Sequence, residues 1–188
     1  SDKDSDRFKE IGYEKEVPVF GNLKFDVRPK KHHLLNGGKL RSRLAKKTVW
    51  LALSTREGEE KEISTLWKQR MVSEKDEVLI IVPRHPERFY KVFREIQITG
   101  CMTDTKTNFL RNESSYSKEC PSILIGDTIG EVQMYLAASD IVLIGGSVIR
   151  KGGQNPLEAC IQRKIIFFGN YKWINFNQTR IFFSNNFI

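Results

Sequence analysis

Short apolar runs of strand length recur along the chain, and polar stretches with helical periodicity separate them. The clearest runs are Thr48–Leu53, Glu77–Val82, Ser122–Ile125, Ile141–Ile144 and Lys164–Phe168. Weaker candidates for strands are Val17–Asp26, which includes a turn, and Gln97–Thr99. Strands that are apolar almost throughout are typical of a parallel sheet buried on both faces. The pattern therefore predicts an α/β fold: a Rossmann-like parallel sheet with helices on both faces.

The polar stretches predict the helices between these strands. A first helix ends at Gly12, and further helices span residues 89–96 and 132–139 and begin at Leu157. Residues 27–47 predict a helix interrupted near Asn36–Gly38, and residues 103–119 predict a mostly polar loop. The apolar positions that we expect to face the core are Leu34, Leu35, Leu40, Leu44, Ile63, Leu66, Trp67, Met134, Tyr135 and Ala138.

Composition narrows the class of protein. The 188 residues carry a formal net charge of +8, which favours an anionic partner such as a nucleotide, an anionic lipid or a nucleic acid. Much of the excess lies in residues 28–47, and a basic run of this kind is most often simply a solvated face. No apolar run approaches the roughly 20 residues that span a bilayer. Three cysteines without C-x-x-C spacing, and three histidines without ligand spacing, predict no metal and a reducing cytoplasm.

Four polar loops follow predicted strands, and in a parallel sheet such loops lie along one edge, where ligands bind. They are residues 54–60, 83–88, 126–131 and 145–155. The last loop has four glycines and leads into a helix, so its free amides could hold a phosphate, or the glycines could simply form a tight turn. Asn155 and Glu158 could form a capping box, or Glu158 could accept hydrogen bonds from a ribose.

Charged residues in the other loops suit the same type of ligand. Arg56, Arg84 and Arg88 could bind phosphate or form surface ion pairs. Glu131 could bind a nucleoside or interact with a helix dipole, and His85 could be an acid or base but better fits a binding or structural role. The chain has no Walker loop, no nucleophile elbow and no pair of groups that suggests a catalytic couple.

Five motifs occur together in an order that resembles the Kdo transferases, enzymes that use 3-deoxy-D-manno-octulosonic acid (Kdo). The motifs are Gly21–Asp26, Ser54–Glu59, Val82–Phe89, Gly126–Glu131, and Gly145–Ser147 continuing through Asn155–Glu158. The resemblance extends from about Ser1 to Phe176. It implies the C-terminal, donor-binding half of a GT-B glycosyltransferase, with residues 1–26 as the interdomain connection and first strand and 27–188 as the donor domain.

The resemblance also implies a reaction and a set of ligand contacts. The family transfers Kdo with inversion from CMP-Kdo to the lipid A precursor, without a metal or another cofactor. The implied CMP contacts are Pro83, Arg84, Ile129, Gly130, Glu131, Asn155, Pro156, Leu157 and Glu158. Additional candidates are Ser54, Thr55, Arg56, His85, Arg88, Gly146, Ser147 and Gly153.

The family's general base lies in an N-terminal acceptor domain that this sequence lacks, so we expect the chain alone to bind donor weakly and to transfer nothing. The apolar end at 181–188 further predicts that the natural protein continues past it. The implied partners of the intact protein are the lipid A precursor and an anionic membrane surface at the cytoplasmic face of the bacterial inner membrane, with this part soluble.

Two alternatives remain from the sequence. A different GT-B enzyme, such as a UDP-sugar epimerase, would share the fold. A basic module that binds nucleic acid or an anionic surface would explain the charge, but residues 28–47 lack the interleaved aromatic side chains that a stacking platform needs. We therefore expect no nucleic-acid partner.

Overall fold

The computed structural model describes residues 2–19, 28–46, 48–72, 76–111 and 120–171. The helices are α1 (Asp2–Glu10), α2 (Lys31–Leu44), α3 (Glu59–Arg70), α4 (Phe89–Ile98), α5 (Lys106–Arg111), α6 (Val132–Ala138) and α7 (Leu157–Ile161). The strands are β1 (Thr48–Thr55), β2 (Glu77–Pro83), β3 (Thr103–Thr105), β4 (Ile123–Ile125), β5 (Ile141–Ile144) and β6 (Ile165–Phe168). A short 3-10 turn, Pro86–Arg88, precedes α4.

The six strands form one sheet in the order β3-β4-β2-β1-β5-β6, and every neighbouring pair is parallel. In the central pairing, Leu51 of β1 lies opposite Ile80 of β2 and Val142 of β5. Every residue of β2 is buried, as expected for a strand covered on both faces. The predicted parallel α/β sheet is confirmed.

Two apolar clusters flank the sheet, one on each face. The first contains Leu40 of α2, Leu136 of α6 and Ala159 of α7. The second contains Ile63 of α3 and Val92 of α4. Helices therefore cover both faces of the sheet, as the sequence predicts.

The strand order reverses beside β1. Strands β2, β4 and β3 lie on one side of β1, while β5 and β6 lie on the other. The chain leaves β1 for α3 on one face and leaves β5 for α7 on the opposite face. The loops after β1 and β5 therefore diverge at a topological switch point, which is where open α/β sheets bind their ligands.

The predicted interruption of the helix in residues 27–47 is wrong, because α2 continues through Gly37 and Gly38. A Cβ atom at Gly37 would lie 2.5 Å from the Ala137 Cβ and 2.7 Å from the Met134 carbonyl oxygen. The glycine thus allows α2 to pack closely on α6. Leu40 and Leu44 face the core as predicted, whereas Leu34 and Leu35 are exposed.

Four other local predictions are also wrong. Residues 97 and 98 end α4, with Ile98 exposed, and the strand lies in Thr103–Thr105, within the stretch predicted as loop. Residues 106–111 form α5 instead of loop, and Leu66 is 65% exposed. Residues 17–19 of the first predicted strand are not in a strand. The motif at 21–26, residues 112–119 of the predicted loop and the apolar end at 181–188 lie outside the described residues.

Candidate functional site

The loops that follow β1, β2, β4 and β5 lie along one edge of the sheet, as the sequence predicts. Backbone hydrogen bonds tie the start of each later loop to the neighbouring strand: the Arg84 amide donates to the Thr55 carbonyl at 3.0 Å, the Gly126 amide to the Ile81 carbonyl at 2.8 Å, and the Gly145 amide to the Leu53 carbonyl at 2.8 Å. Gly145 has to be glycine, since a Cβ atom there would lie 2.3 Å from the Ser54 carbonyl oxygen. The carboxyl edge of the sheet thus brings the four predicted loops together.

A buried carboxylate, Glu59 at the start of α3, holds the glycine-rich loop. Its Oε2 accepts from the Arg56 amide at 2.8 Å and from the Gly146 amide at 2.7 Å, and its Oε1 accepts from the Val148 amide at 3.0 Å. The Gly146 and Val148 amides are therefore not free for a phosphate in this structure. The sequence does not predict this role of Glu59, because acidic residues in the first turn of a helix are ordinarily explained by the helix dipole.

Two further residues of this loop have structural contacts. The Ser147 hydroxyl donates to the Ile144 carbonyl and accepts from the Gly169 amide at 2.9 Å, and the residue is fully buried. The Gly153 amide donates to the Gly146 carbonyl at 2.7 Å and closes the loop. Ser147 therefore stabilises the loop and offers no surface to a ligand.

Arg56 connects three loops. Its Nη1 lies 2.7 Å from Nε2 of His85, in the loop after β2. With the Gln154 amide oxygen facing Arg56, that oxygen accepts from Nη2 at 3.1 Å and from Nε at 3.2 Å. Because a guanidinium is only a donor, His85 accepts at Nε2 in this arrangement. Arg56 is thus engaged with protein groups at the edge.

Arg88 is engaged with a second buried carboxylate. Its Nη1 and Nη2 donate to Oε1 and Oε2 of Glu60 at 2.9 and 3.0 Å, and the Thr55 hydroxyl donates to the same carboxylate at 2.8 Å. Burial alone would lower the pKa of Arg88, but the hydrogen bonds and charge of Glu60 raise it above its ordinary value. Arg88 and Thr55 therefore stabilise the loops at this edge through Glu60, and these hydrogen-bonding groups are not free to bind a ligand.

Arg84 differs from the other two arginines. It follows Pro83 at the buried end of β2, and its side chain is exposed. Within the part of the chain that the structure describes, its guanidinium has no hydrogen-bond or ion-pair partner. Arg84 is consequently the arginine of this set that presents a free fork of donors to a phosphate.

The loop after β4 ends in a hydrogen-bonded network. The Lys106 Nζ lies 2.7 Å from Oε2 of Glu131 and 3.2 Å from the Thr128 hydroxyl, which also bonds to Glu131 and lies 2.9 Å from the Tyr135 hydroxyl. Burial raises the pKa of Glu131, but the bonds from Lys106 and Thr128 and the lysine charge outweigh it, and the pKa lies below its ordinary value. Burial raises the pKa of Tyr135 far above its ordinary value.

The sequence does not predict a role for Lys106, because the polar residues 103–105 predict a loop, whereas they form β3 and bring Lys106 to the edge. Unlike the buried Lys106 and Tyr135, the two residues before Glu131 are exposed. Ile129 is 75% exposed, and Gly130 adopts a φ of +79° that favours glycine. An open groove of about 920 Å³ adjoins Glu131 and lies between α2, α5 and α6.

The turn before α7 is fixed by Asn155, and the first turn of α7 carries a free carboxylate, Glu158. Asn155 Oδ1 accepts from the Leu157 amide at 3.0 Å, but the residue that precedes the helix is Pro156 and makes no side-chain cap. Pro156 and Leu157 are buried, while Glu158 is half-buried. Among the described residues the Glu158 carboxylate has no hydrogen-bond partner, so the predicted reciprocal capping box is not formed and the carboxylate can accept from a ligand.

Within residues 2–19, 28–46, 48–72, 76–111 and 120–171, no three acidic, histidine or cysteine side chains cluster closely enough to hold a metal ion. None of the helices in the same ranges is both long and apolar enough to cross a membrane.

A solved structure defines the class of this fold. The C-terminal CMP-Kdo binding domain of WaaA from Acinetobacter baumannii superimposes with a TM-score of 0.72 over 84% of this chain and 80% of that chain, at 24% identity. The six-stranded parallel sheet with helices on both faces is thus the fold of one half of a GT-B glycosyltransferase.

Sequence relatives narrow the class further. The chain is 30% identical over 179 residues to the 3-deoxy-D-manno-octulosonic acid transferase of Haemophilus influenzae and 35% identical over 148 residues to that of Bordetella pertussis. These matches cover 94% and 76% of this chain but 40% and 33% of the relatives, so the chain spans less than half their length. No protein-family model matches the chain. The chain is therefore a homologue of the Kdo transferases, matched over most of its own length.

Proposed function

We propose that this chain forms the donor-binding domain of an inverting glycosyltransferase that transfers Kdo from CMP-Kdo to the lipid A precursor. The observation that carries the proposal is the position of four motif-bearing loops along one edge of the sheet, where Glu59 joins the loops after β1 and β5 at the switch point. Homology to Kdo transferases supports it, as does the shared fold with a domain described as CMP-Kdo binding.

The proposed CMP contacts divide by chemistry. Arg84 is an exposed guanidinium suited to the phosphate, and Glu158 is a carboxylate suited to the ribose hydroxyls. The exposed Ile129 and Gly130 present side chain and backbone beside Glu131. Asn155 fixes the turn through Leu157, and the buried Pro83, Pro156 and Leu157 shape the loops that carry the other contacts.

The remaining partners belong to the whole protein. The lipid A precursor and the general base for its hydroxyl would lie in a part outside this chain, and the complete enzyme would act at the cytoplasmic face of the inner membrane. The basic surface of α2 would then face anionic lipid, whereas nucleic acid is not a proposed partner.

The test is a titration of the 188-residue chain with CMP and, separately, with UDP. Binding is measured through the NMR chemical shifts of the backbone amides. We expect saturable shifts at Arg84, Gly130, Asn155 and Glu158 with CMP and weaker binding of UDP. R84A should weaken CMP binding by about tenfold, the equivalent of about 1.4 kcal/mol and typical of one charge-assisted hydrogen bond.

R94A is the matched control, since Arg94 is an exposed arginine on α4 whose guanidinium bonds to Gln97. It should leave CMP affinity unchanged. Tighter binding of UDP than of CMP would contradict the assigned donor and favour another nucleotide-sugar enzyme, and the absence of shifts at all four amides would contradict the site.

A further inference from the structure

The first turn of α3 carries two adjacent carboxylates that are almost completely buried. Glu59 is 0% exposed and Glu60 is 1% exposed, whereas Glu62 in the same turn lies in solvent. Burying a charge is costly unless hydrogen bonds or an opposite charge compensate. Each buried carboxylate here accepts three hydrogen bonds, and the donors come from different loops of the carboxyl edge.

Glu59 spans the switch point. It lies at the start of α3, on the β1 side, and accepts from the amides of Gly146 and Val148 on the β5 side. Backbone amides at such a position ordinarily hold the phosphate of a ligand. Glu59 therefore acts as an internal anion that fixes the start of the loop leading to Asn155 and Glu158.

Glu60 faces the neighbouring loop. It binds both terminal nitrogens of Arg88 in the 3-10 turn after β2 and accepts from Thr55 at the end of β1. The bidentate geometry fixes the turn in orientation as well as in distance. Arg84 lies on the same loop, four residues before Arg88.

We propose that Glu59 and Glu60 are positioning residues that set the spacing between the two arms of the donor site. One arm carries Arg84, and the other carries Asn155 and Glu158. Because both arms are tied to a single helical turn, a nucleotide meets them in a fixed arrangement and does not have to order them on binding. This inference rests on the proposed function of the same edge.

The test uses E59Q and E60Q in the 188-residue chain, with E62Q as the control from the same turn. A glutamine has one acceptor oxygen and one donor group in place of two acceptor oxygens, so E59Q cannot accept all three amide hydrogen bonds. We expect amide hydrogen exchange at Gly146 and Val148 to accelerate by about tenfold or more in E59Q. We expect CMP affinity to fall by about tenfold in E59Q and in E60Q and to stay unchanged in E62Q.

A second control separates positioning from loss of stability. I96V removes one methyl from the second core cluster, on the face of the sheet and away from the edge loops, and should lower Tm without changing CMP affinity. E60Q is an independent test of the arm that carries Arg84, and in that variant Glu59 still holds the glycine-rich loop.

The outcomes distinguish this inference from the proposed function. Normal CMP binding by the unaltered chain together with unchanged affinity in E59Q and E60Q would overturn the positioning role alone. Unchanged exchange at Gly146 and Val148 in E59Q would overturn the role of Glu59 as their anchor. Failure of the unaltered chain to bind CMP would overturn the proposed function, and the positioning role with it.

Discussion

Glu131 links the stability of the edge to pH. Lys106 and Thr128 hold its carboxylate, and its pKa in the folded chain lies below the ordinary value of about 4.3. A lowered carboxyl pKa stabilises the folded state above the ordinary pKa, and this contribution is lost as pH falls through the folded value. We therefore expect E131Q to lower Tm at pH 7 by roughly 2–4 °C, equivalent to about 1 kcal/mol for a chain of this size.

Thermal unfolding of both proteins between pH 7 and pH 3 measures this effect. The difference in Tm should be greatest near neutral pH and should shrink as pH falls below the ordinary carboxyl pKa of about 4.3, because the unfolded chain then binds the proton more readily than the folded chain does. E10Q serves as the control, since Glu10 is an exposed carboxylate at the end of α1. A difference that stays constant over the whole range would contradict the linkage.

The glycine-rich loop and Glu59 show how much of the site the sequence predicts. Four glycines between a strand and a helix indicated the loop and its position, and both predictions are confirmed. Whether the loop amides are free depends on Glu59, which lies 87 residues before Gly146 in the chain. Local pattern contains no information about such a long-range acceptor. The assignment of ribose and phosphate contacts remains a prediction for the same reason.

At the level of elements, the contact between α2 and α6 depends on Gly37. G37A would place a methyl group 2.5 Å from the Ala137 Cβ and 2.7 Å from a backbone oxygen, so one helix has to move. Such overpacking typically costs about 1–3 kcal/mol. We expect a lower Tm for G37A, measured by thermal unfolding.

Gly38 is the matched control for this prediction. It is the next residue of the same helix, and a Cβ atom there would meet nothing within 4 Å. Because alanine restricts the unfolded chain and favours helix, G38A should raise stability by roughly 0.5–1 kcal/mol. Equal effects of the two substitutions would show that helix propensity and not packing governs this position.

Burial and tertiary packing explain which elements the sequence predicts correctly. The five strong apolar runs became strands of the sheet, because continuous burial on both faces leaves a clear pattern. The helix break expected at Asn36–Gly38 failed, because tertiary packing against α6 outweighs the low helix propensity of glycine. Strand β3 was missed because its three residues, Thr103–Thr105, are polar and only half-buried at the end of the sheet.

For the molecule as a whole, the helices differ in net charge: α2 carries four lysines and arginines and no acidic residue, whereas α3, across the sheet, carries three residues of each sign. Helix α2 presents exposed Lys31 and Lys39 on one face, while its Arg41 pairs with Asp140 at 2.6 Å and its Arg43 donates to the Phe109 carbonyl. Arg41 and Arg43 thus form contacts within the fold, whereas Lys31 and Lys39 are available to an anionic surface. The helix also lies beside the groove next to Glu131.

This distribution predicts face-specific attraction to anionic membranes. A basic side chain close to an anionic bilayer contributes about 1 kcal/mol, so K31Q/K39Q should weaken binding to phosphatidylglycerol-containing vesicles by roughly tenfold or more. K61Q/R94Q removes the same net charge from exposed positions on α3 and α4, across the sheet, and should have a much smaller effect. Vesicle co-sedimentation at low and high salt measures both variants, and high salt should abolish binding. Equal losses in the two double variants would show that only net charge matters, and tighter binding to an oligonucleotide than to vesicles would favour a nucleic-acid partner instead.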